Sequence, residues 1–410
     1  MNYIITIIVL LIQLPVAAAY IEVGKSKSFT SIKPAIEAAK DGDVIIITAG
    51  SYSEGELVIS KRLTIRGVGF PVLNGRNSAQ IIRVMADGVV IEGLDLRNAG
   101  YSSMYDWAAV RVVNSAHVVI RNNRLFNNAF GIYFQNCRRS EIVNNIIKGN
   151  TVDEVGSGNA IHCWKNDSLK ISGNQVSGHR DGLYFEFVTN SMISNNNSYN
   201  NIRYGIHFMF SHDDIYTNNI FKENGAGVAV MFSRGVIMRR NRFENNQGSA
   251  AYGIMLKEIS GGVVEHNIFL NNTVAIYMEG TSRMHVTKNI FRQNGWAMRV
   301  QASCADNVIM HNNYTGNTFD VGTNGTVQLN KFSENYWDNY EGYDLDKDGY
   351  GDVHYLPVSL YSMIVEKMPA ASLLLKSFMV TIMDKAERLM PGITPVELKD
   401  DKPLMKPLAL

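Results

Sequence analysis

The chain has 410 residues, of which 46% are hydrophobic and 19% are charged, and this balance predicts a folded protein with a large core. Its 39 basic and 38 acidic residues leave a formal net charge of +1, which argues against nucleic-acid or polyanion binding. The three cysteines, Cys137, Cys163 and Cys304, have no Cys-x-x-Cys spacing, so they indicate buried free thiols and not a disulfide scaffold or a zinc knuckle.

Residues 1–19 have the layout of a secretory signal peptide. An apolar run from Ile4 to Ile12 is followed by small residues that end at Ala19. No Lys or Arg precedes the run, so an uncleaved anchor is the alternative, although the run is shorter than the roughly 20 residues that a membrane span needs. The sequence therefore predicts an exported protein with cleavage after Ala19.

The segment "SFTSIKPAIEAAKDGD" predicts a short amphipathic helix that begins at Thr30 or Ser31 and ends near Gly42. It comes before a long series of strand-like repeats. Because the first coil of a stacked structure would otherwise expose unpaired backbone groups, we expect this helix to cover that end.

A strand-like pattern recurs about every 22 residues along the middle of the chain. Examples are "GLYFEF" from Gly182, "GIHFMF" from Gly205 and "GVAVMF" from Gly227. The runs are short, rich in β-formers and separated by Gly and Asn, which excludes a helical solenoid. The predicted fold class is all-β, a right-handed parallel β-helix over residues 20–356, with an N-terminal capping helix and a C-terminal helical extension over 357–410.

A column of asparagines recurs in the second strand of each repeat, at Asn219, Asn241, Asn267, Asn289 and Asn312. Stacked asparagines at turns can adopt left-handed backbone conformations and form hydrogen bonds along the stack. We therefore assign this column a structural role.

Alternation along each strand separates an inward apolar set from an outward set. In register, the outward positions place His207 beside Met209, with Met231 one coil from Met209. Imidazole and thioether donors suit copper, especially Cu(I), better than magnesium, calcium or zinc. The copper candidates are His207, Met209 and Met231, with Met255 and His162 as outer candidates. The alternative is an apolar methionine patch that contacts a partner protein.

The same face allows an enzymatic interpretation. His179, Arg180 and Asp181 precede Tyr184 and Glu186, and acids, bases and aromatic residues in an external groove suit a polysaccharide lyase or epimerase. Neighbouring coils present methionine where a sugar site would need charged groups, so this interpretation is the weaker one.

The segment "DLDKDGYGD" resembles a calcium-binding loop, with Asp344, Asp346, Asp348 and Asp352 as candidate ligands. Tyr355 stands where such a loop has its bidentate Glu. A structural calcium ion and an empty acidic turn are both open.

Apolar residues at helical spacing follow in "AASLLLKSFMVTIMDKAERLM", and charged residues interrupt any membrane span. This helix either caps the β-helix or docks on a membrane partner. A tail with Pro403 and Pro407 follows it and is expected to be extended.

The chain resembles the NosD family of periplasmic proteins that assemble the copper sites of nitrous oxide reductase. The resemblance rests on "NAIHCWKNDSLKI", "GHRDGLYFEFV", "RYGIHFMFSHDD", "GAGVAVMFS", "AAYGIMLKEIS", "NYWDNYEGYDLDKDGYGD" and "LYSMIVE". It implies a non-enzymatic β-helix of the carbohydrate-binding and sugar-hydrolase type.

The resemblance also implies three partners: an ABC transporter with a membrane subunit and a cytoplasmic ATPase, a copper chaperone lipoprotein, and nitrous oxide reductase. It favours docking of the C-terminal helix on the membrane subunit, with Phe378, Met379, Ile382 and Met383 as contacts. The predicted function is therefore periplasmic receipt or transfer of copper by a non-catalytic protein coupled to the transporter. A metal-free scaffold that binds client proteins, and a polysaccharide lyase or epimerase, are the alternatives.

Overall fold

The computed structural model describes residues 18–102, 104–154, 156–325, 329–390, 394 and 398–410. Its strands form three parallel sheets, and each strand pairs with the equivalent strands of the coils before and after it. The predicted parallel β-helix is therefore confirmed. The predicted signal peptide lies outside the described residues as far as residue 17, so it stays a prediction.

Sheet A has 14 strands in the described part of the chain. They are Tyr20–Val23, Val44–Thr48, Thr64–Val68, Val90–Glu92, Val119–Arg121, Glu141–Val143, Lys170–Ser172, Met192–Ser194, Ile215–Thr217, Arg234–Arg239, Ser260–Glu265, Ser282–Thr287, Ala305–Met310 and Leu329–Ser333.

Sheet B has 13 described strands. They are Ser51–Tyr52, Val72–Asn74, Asp95–Arg97, Arg124–Phe126, Ile146–Lys148, Gln175–Ser177, Asn197–Tyr199, Ile220–Lys222, Arg242–Glu244, Ile268–Leu270, Ile290–Arg292, Asn313–Thr315 and Tyr336–Trp337.

Sheet C has 12 described strands and carries the predicted site residues. They are Leu57–Ile59, Ile82–Val84, Ala108–Val113, Phe130–Gln135, Ile161–Asp167, Asp181–Thr189, Tyr204–Met209, Ala226–Met231, Tyr252–Lys257, Val274–Glu279, Trp296–Val300 and Phe319–Gly322.

The core lies between the three sheets and is built from aligned apolar side chains. In sheet C, Ile206 pairs with Leu183 and Val228, and these side chains are at most 1% exposed. In sheet B, aromatic rings stack from coil to coil, and Phe243 and Phe269 lie 4.8 Å apart, centroid to centroid. Parallel strands with the same apolar position in every coil therefore bury one continuous core.

The asparagine column is a hydrogen-bonded ladder between sheets A and B. Asn219 donates from its backbone N and its Nδ2 to Oδ1 of Asn241, at 2.9 and 3.0 Å, and Asn241 repeats this toward Asn267. The predicted structural role is confirmed, but the left-handed conformation belongs to the preceding residues, such as Asn218 and Arg240. Those residues turn the corner, which aims the next side chain inward along the stack.

The N-terminal lid is α1, Ile32–Ala38, which follows Ser31 as its N-cap residue. Ile32, Ala35 and Ile36 are buried in the same apolar core as the first coils. The predicted capping helix is therefore confirmed, and it closes one end of the core.

The C-terminal segment forms two α-helices, where the sequence indicated one. α2, Leu360–Lys367, begins with a capping box between Ser359 and Ser362 and packs against the last strand of sheet C. A 3₁₀-helix, Pro369–Leu374, leads into α3, Phe378–Leu389. α2 therefore caps the last coil of the β-helix, whereas α3 has the exposed apolar side chains. In the described part of the chain, none of the helices has the length and apolarity that a membrane crossing requires.

The tail returns to the β-helix and ends the asparagine ladder. The carboxylate of Asp400 accepts hydrogen bonds from the backbone N and the Nδ2 of Asn335 and from Nε1 of Trp337, at 3.0 to 3.1 Å. Leu408 then forms two hydrogen bonds through its backbone to the side-chain amide of Asn313. The described part of the tail pairs with the β-helix through isolated bridges at Asp400 and Leu404, and Asp400 supplies the acceptor that the last coil lacks.

Candidate metal centre

The outward columns of sheet C have the register that the sequence indicated. His207 pairs with Tyr184 on one side and with Ala229 on the other, and Met209 pairs with Glu186 and Met231. Paired residues of adjacent parallel strands are about 4.8 Å apart. The structure therefore brings His207, Met209 and Met231 to adjoining outward positions of two consecutive coils.

His207 differs from the expectation in one respect, because its side chain is only 9% exposed. The rings of Tyr204 and Tyr184 pack against the imidazole, with centroid distances of 4.8 and 5.1 Å. His207 is thus outward of the sheet but covered by aromatic side chains. The outward position is as predicted, but the imidazole is not a solvated surface group.

Burial, together with the positive charges of Arg203 and Arg180, lowers the pKa of His207 to about 4. The imidazole is therefore neutral at neutral pH, which is the form that binds metals. Neither ring nitrogen has a hydrogen-bond partner among the described residues. The carboxylate of Asp181 lies nearby, with its Oδ2 4.0 Å from Nδ1 of His207.

Met209 and Met231 are half-buried neighbours in adjacent strands. The pair lies between Glu186, which pairs with Met209, and Lys257, which pairs with Met231. Glu186 accepts a hydrogen bond from Tyr184, and Lys257 forms an ion pair with Glu279. Both flanking charges have partners, so the two thioethers are the uncommitted donors of this column.

Met255 and His162 lie farther from His207 than the other candidates. Met255 pairs with Ala229, so one complete coil separates it from His207. His162 is separated from His207 by Tyr184, and its Nδ1 is 3.0 Å from Nδ2 of Asn159. Since an amide Nδ2 donates to a neutral imidazole, this contact occupies the Nδ1 lone pair of His162. The structure does not bring these two residues into the group formed by His207, Met209 and Met231.

A row of polar groups extends from His162 toward His207. Nη2 of Arg180 donates to Oδ1 of Asn159 at 3.2 Å, and its Nε lies 3.4 Å from Oδ2 of Asp181. Burial raises the pKa of Asp181, while Arg180 and Arg203 oppose that effect. A buried carboxylate therefore lies beside the neutral His207 and is balanced mainly by the two arginines.

Three exposed phenylalanines border the site, and the sequence interpretation missed them. Phe187, Phe210 and Phe232 stack with ring centroids 5.3 and 5.2 Å apart, and each has a left-handed backbone. Phe210 follows Met209 directly, and Phe232 follows Met231. The sequence does show a phenylalanine at the end of "YFEF", "HFMF" and "AVMF". A recurring phenylalanine suggests a core position, and only the left-handed backbone at the corner shows that these side chains are exposed.

The acidic loop brings together three of its four candidate ligands. Carboxylate oxygens of Asp344, Asp346 and Asp348 all lie within 4.8 Å of one another. Asp352 is outside this group, and its Oδ2 accepts a hydrogen bond from the backbone N of Leu345 at 2.7 Å. The loop therefore offers three carboxylates to a cation.

The exposed face of α3 contains most of the predicted partner contacts. Phe378, Met379 and Ile382 are 81%, 60% and 45% exposed. Met383 is on the other side, where it packs against a buried cluster that includes Tyr361 and Val380. Three of the four residues are thus available to a partner, and Met383 holds the helix on the molecule.

These features define a parallel β-helix with a His–Met group on one outward face. Residues 45–176 match the family described as "Right handed beta helix region", which confirms the predicted handedness. Residues 143–342, which contain His207, Met209 and Met231, match the family described as "Periplasmic copper-binding protein (NosD)". The resemblance found in the sequence is therefore confirmed.

Two curated relatives extend the similarity beyond this domain. The chain is 28% identical over 387 residues to the probable ABC transporter binding protein NosD of Pseudomonas aeruginosa, covering 88% of this chain and 87% of the relative. It is 26% identical over 381 residues to the protein of the same name from Stutzerimonas stutzeri, covering 88% and 86%.

Among solved structures, the chain is similar to the family 28 exopolygalacturonase of Yersinia enterocolitica, with a TM-score of 0.60. The sequences are 12% identical, and the match covers 78% of this chain and 77% of that one. At this identity the similarity concerns the fold alone.

Proposed function

We propose that the protein is a non-catalytic periplasmic accessory protein that receives or transfers copper during maturation of nitrous oxide reductase. Copper, as Cu(I), is its cargo, and the primary ligands are His207, Met209 and Met231. The observation that carries this proposal is a neutral His207, without a hydrogen-bond partner among the described residues, beside an uncommitted methionine pair. This soft to borderline donor set suits Cu(I).

The geometry favours transient binding. Two thioethers and one imidazole leave the metal open to a further ligand from a donor or acceptor protein. Met255 and His162 are secondary positions that copper can occupy on entry or exit. They lie on opposite sides of His207 along the stack, and one coil separates each of them from it. We propose a copper chaperone lipoprotein as donor and nitrous oxide reductase as acceptor.

We also propose that α3 attaches the protein to the membrane subunit of an ABC transporter whose ATPase is cytoplasmic. Support comes from the exposed Phe378, Met379 and Ile382 and from the relatives, which are named as probable ABC transporter binding proteins. Membrane association then occurs through the transporter. In this arrangement residues 1–19 are a cleaved signal peptide, 20–356 form the β-helix and 357–410 form the attachment segment.

A metal-free scaffold is the second candidate, and one observation favours it. Phe187, Phe210 and Phe232 form an exposed apolar border beside the methionines, which would suit binding of a client protein. In that case the methionines would contact protein and not copper.

The electrostatics of the face argue against a polysaccharide lyase or epimerase. A general base works best with a pKa near the operating pH, whereas the pKa of His207 is about 4. Tyr184 donates to Glu186, and burial raises the pKa of its phenol to about 12. Neither residue is prepared to remove a proton from a sugar at neutral pH.

Anaerobic Cu(I) titration against a competing chelator tests the proposal. The mature protein is compared with a His207→Ala, Met209→Ala, Met231→Ala variant. The matched control is His285→Ala, Met192→Ala, Met85→Ala, which removes the same residue types from exposed positions elsewhere. Tight binding that only the first variant loses supports copper at this face. Equal binding by all three proteins, or no binding by the wild type, would leave the metal-free scaffold as the better account.

A further inference from the structure

A cavity of about 570 Å³ lies between the last coil of the β-helix and the C-terminal helices. Its walls come from the end of sheet C, from loops after the last strand of sheet B, and from α2 and α3. It is on a different part of the molecule from His207 and is not used in the proposed copper transfer.

Asp320 is the buried charge of this cavity. The residue is 5% exposed, and its Oδ2 accepts hydrogen bonds from the phenol of Tyr355 at 2.7 Å and from Nδ2 of Asn339 at 3.3 Å. Its Oδ1 is also buried and has no hydrogen-bond partner among the described residues. An ionised carboxylate with one such oxygen is costly to bury, so a cation bound beside Asp320 would stabilise it.

The other carboxylic acids of the lining are less buried than Asp320. Glu341, Asp384 and Glu387 also line the cavity, whereas none of the described lining residues is Lys or Arg. Burial and, to a smaller extent, the negative charge of Asp338 raise the pKa of Asp320 to about 6, although hydrogen bonds from Tyr355 and Asn339 oppose the shift. Asp320 is therefore the buried carboxylate that a cation in the cavity would balance.

Aromatic rings supply the apolar part of the wall. Tyr340, Tyr343, Tyr355, Tyr361 and Phe319 all line the cavity. Aromatic faces attract ammonium and guanidinium groups, and they also pack against an aliphatic stem. Carboxylates with aromatic walls therefore favour an organic cation over a bare metal ion, which would need several oxygen ligands at close range.

We propose that this cavity binds an organic cation, a guanidinium or ammonium group on an apolar stem, whose charge is balanced by Asp320. The group can belong to a small amine or to an Arg or Lys side chain of a partner protein. The proposal does not depend on copper binding at His207.

Isothermal titration of the full mature chain tests it with butylguanidinium and with its neutral analogue butylurea. We expect saturable binding of butylguanidinium, at least tenfold weaker binding of butylurea, and a loss of at least tenfold in Asp320→Asn. Asp306→Asn is the control, because Asp306 is an exposed aspartate that does not line the cavity. It should bind as the wild type does.

A second variant keeps the proposal testable if Asp320→Asn does not fold. Thr318 lines the cavity and is exposed, so Thr318→Lys places a tethered ammonium group at its mouth and should block butylguanidinium. A pentapeptide with one central Arg, compared with its citrulline counterpart, distinguishes a side-chain source from a small amine. Butylurea binding equal to that of butylguanidinium, retention of binding in Asp320→Asn, or no binding of any cationic probe would overturn the proposal.

Discussion

At the scale of single residues, the environment of His207 decides what the outward face can do. Its imidazole is neutral because Tyr184 and Tyr204 cover it and two arginines surround it. The same burial that removes its proton leaves its nitrogens without hydrogen-bond partners in the described chain. A ligand that accepts the lone pair of a ring nitrogen would supply the partner that this neutral imidazole lacks.

Buried neutral histidines also make the stability of the fold depend on pH. Burial lowers the pKa of His179 to about 4, below the value of about 6.5 expected in the unfolded chain. The unfolded state therefore binds more protons between these values, and stability falls as pH decreases from about 6.5 toward 4. This histidine alone should remove roughly 1–2 kcal/mol between pH 7.5 and pH 5.

Urea denaturation of His179→Phe at the two pH values measures this effect. The variant should lose less stability than the wild type on acidification. The exposed His285→Phe is the control and should follow the wild type. Identical pH dependence in the wild type and His179→Phe would contradict a neutral buried His179.

Replacement of Asn241 measures how much one position of the asparagine ladder contributes to the free energy of unfolding. It accepts from Asn219, donates to the carbonyl of Tyr216 at 2.9 Å and is 1% exposed. Asn241→Ala would leave a buried N–H and a buried carbonyl without partners, at a cost of about 2–4 kcal/mol in the free energy of unfolding. Asn197→Ala, at a half-buried position outside the ladder, should cost under about 1 kcal/mol. Equal losses in a chemical denaturation experiment would refute the assigned role of the ladder.

At the scale of elements, α3 is the proposed site of contact with the transporter. Phe378→Ser with Ile382→Ser removes exposed apolar area and leaves the contacts of Met383 and Val380 with the cap intact. Co-purification with the transporter membrane subunit should fall at least tenfold, while the melting temperature stays within about 2 °C of the wild type. Leu329→Ser, which alters an exposed leucine of sheet A, should retain the partner. Undiminished recovery of the membrane subunit by the α3 variant would exclude this face.

The acidic loop should respond to calcium through three carboxylates. Calcium added in excess to chelator-treated protein should raise the melting temperature by a few degrees, because a ligand at about 100 times its Kd stabilises by about 2.7 kcal/mol. Asp346→Asn should abolish the rise. Asp352→Asn should retain it, because Asp352 is bonded to Leu345 and lies outside the carboxylate group. A rise that depends on Asp352 and not on Asp346 would contradict the cluster.

At the scale of the whole molecule, the repeat period predicted the fold and the register of sheet C. Each coil repeats the same apolar positions, so Met209 and Met231 could be paired by counting alone. Counting could not predict the burial of His207, because that depends on how Tyr204 packs three residues earlier on the same strand. It also missed α2, whose eight residues include β-formers such as Tyr361 and Val365.

The backbone conformation at the corners between sheets A and B could not be predicted from the sequence either. The asparagines of the ladder could be found by their period, but the conformation of the preceding residue could not, since Asn218, Arg240, His266 and Lys288 have different side chains and the same left-handed backbone. Their shared geometry follows from the stacking of coils. The exposed phenylalanines Phe187, Phe210 and Phe232 were missed because they have the same left-handed corner conformation, which no residue type in the sequence indicates.

The central claim is that copper binds through imidazole and thioether groups on the outward face. X-ray absorption at the copper edge of the Cu(I)-loaded protein tests it most directly. The account predicts sulfur and imidazole scatterers around copper, loss of the sulfur contribution in Met209→Ala, Met231→Ala, and loss of the imidazole contribution in His207→Ala. A spectrum without sulfur, or one that is the same in these variants as in the wild type, would contradict it.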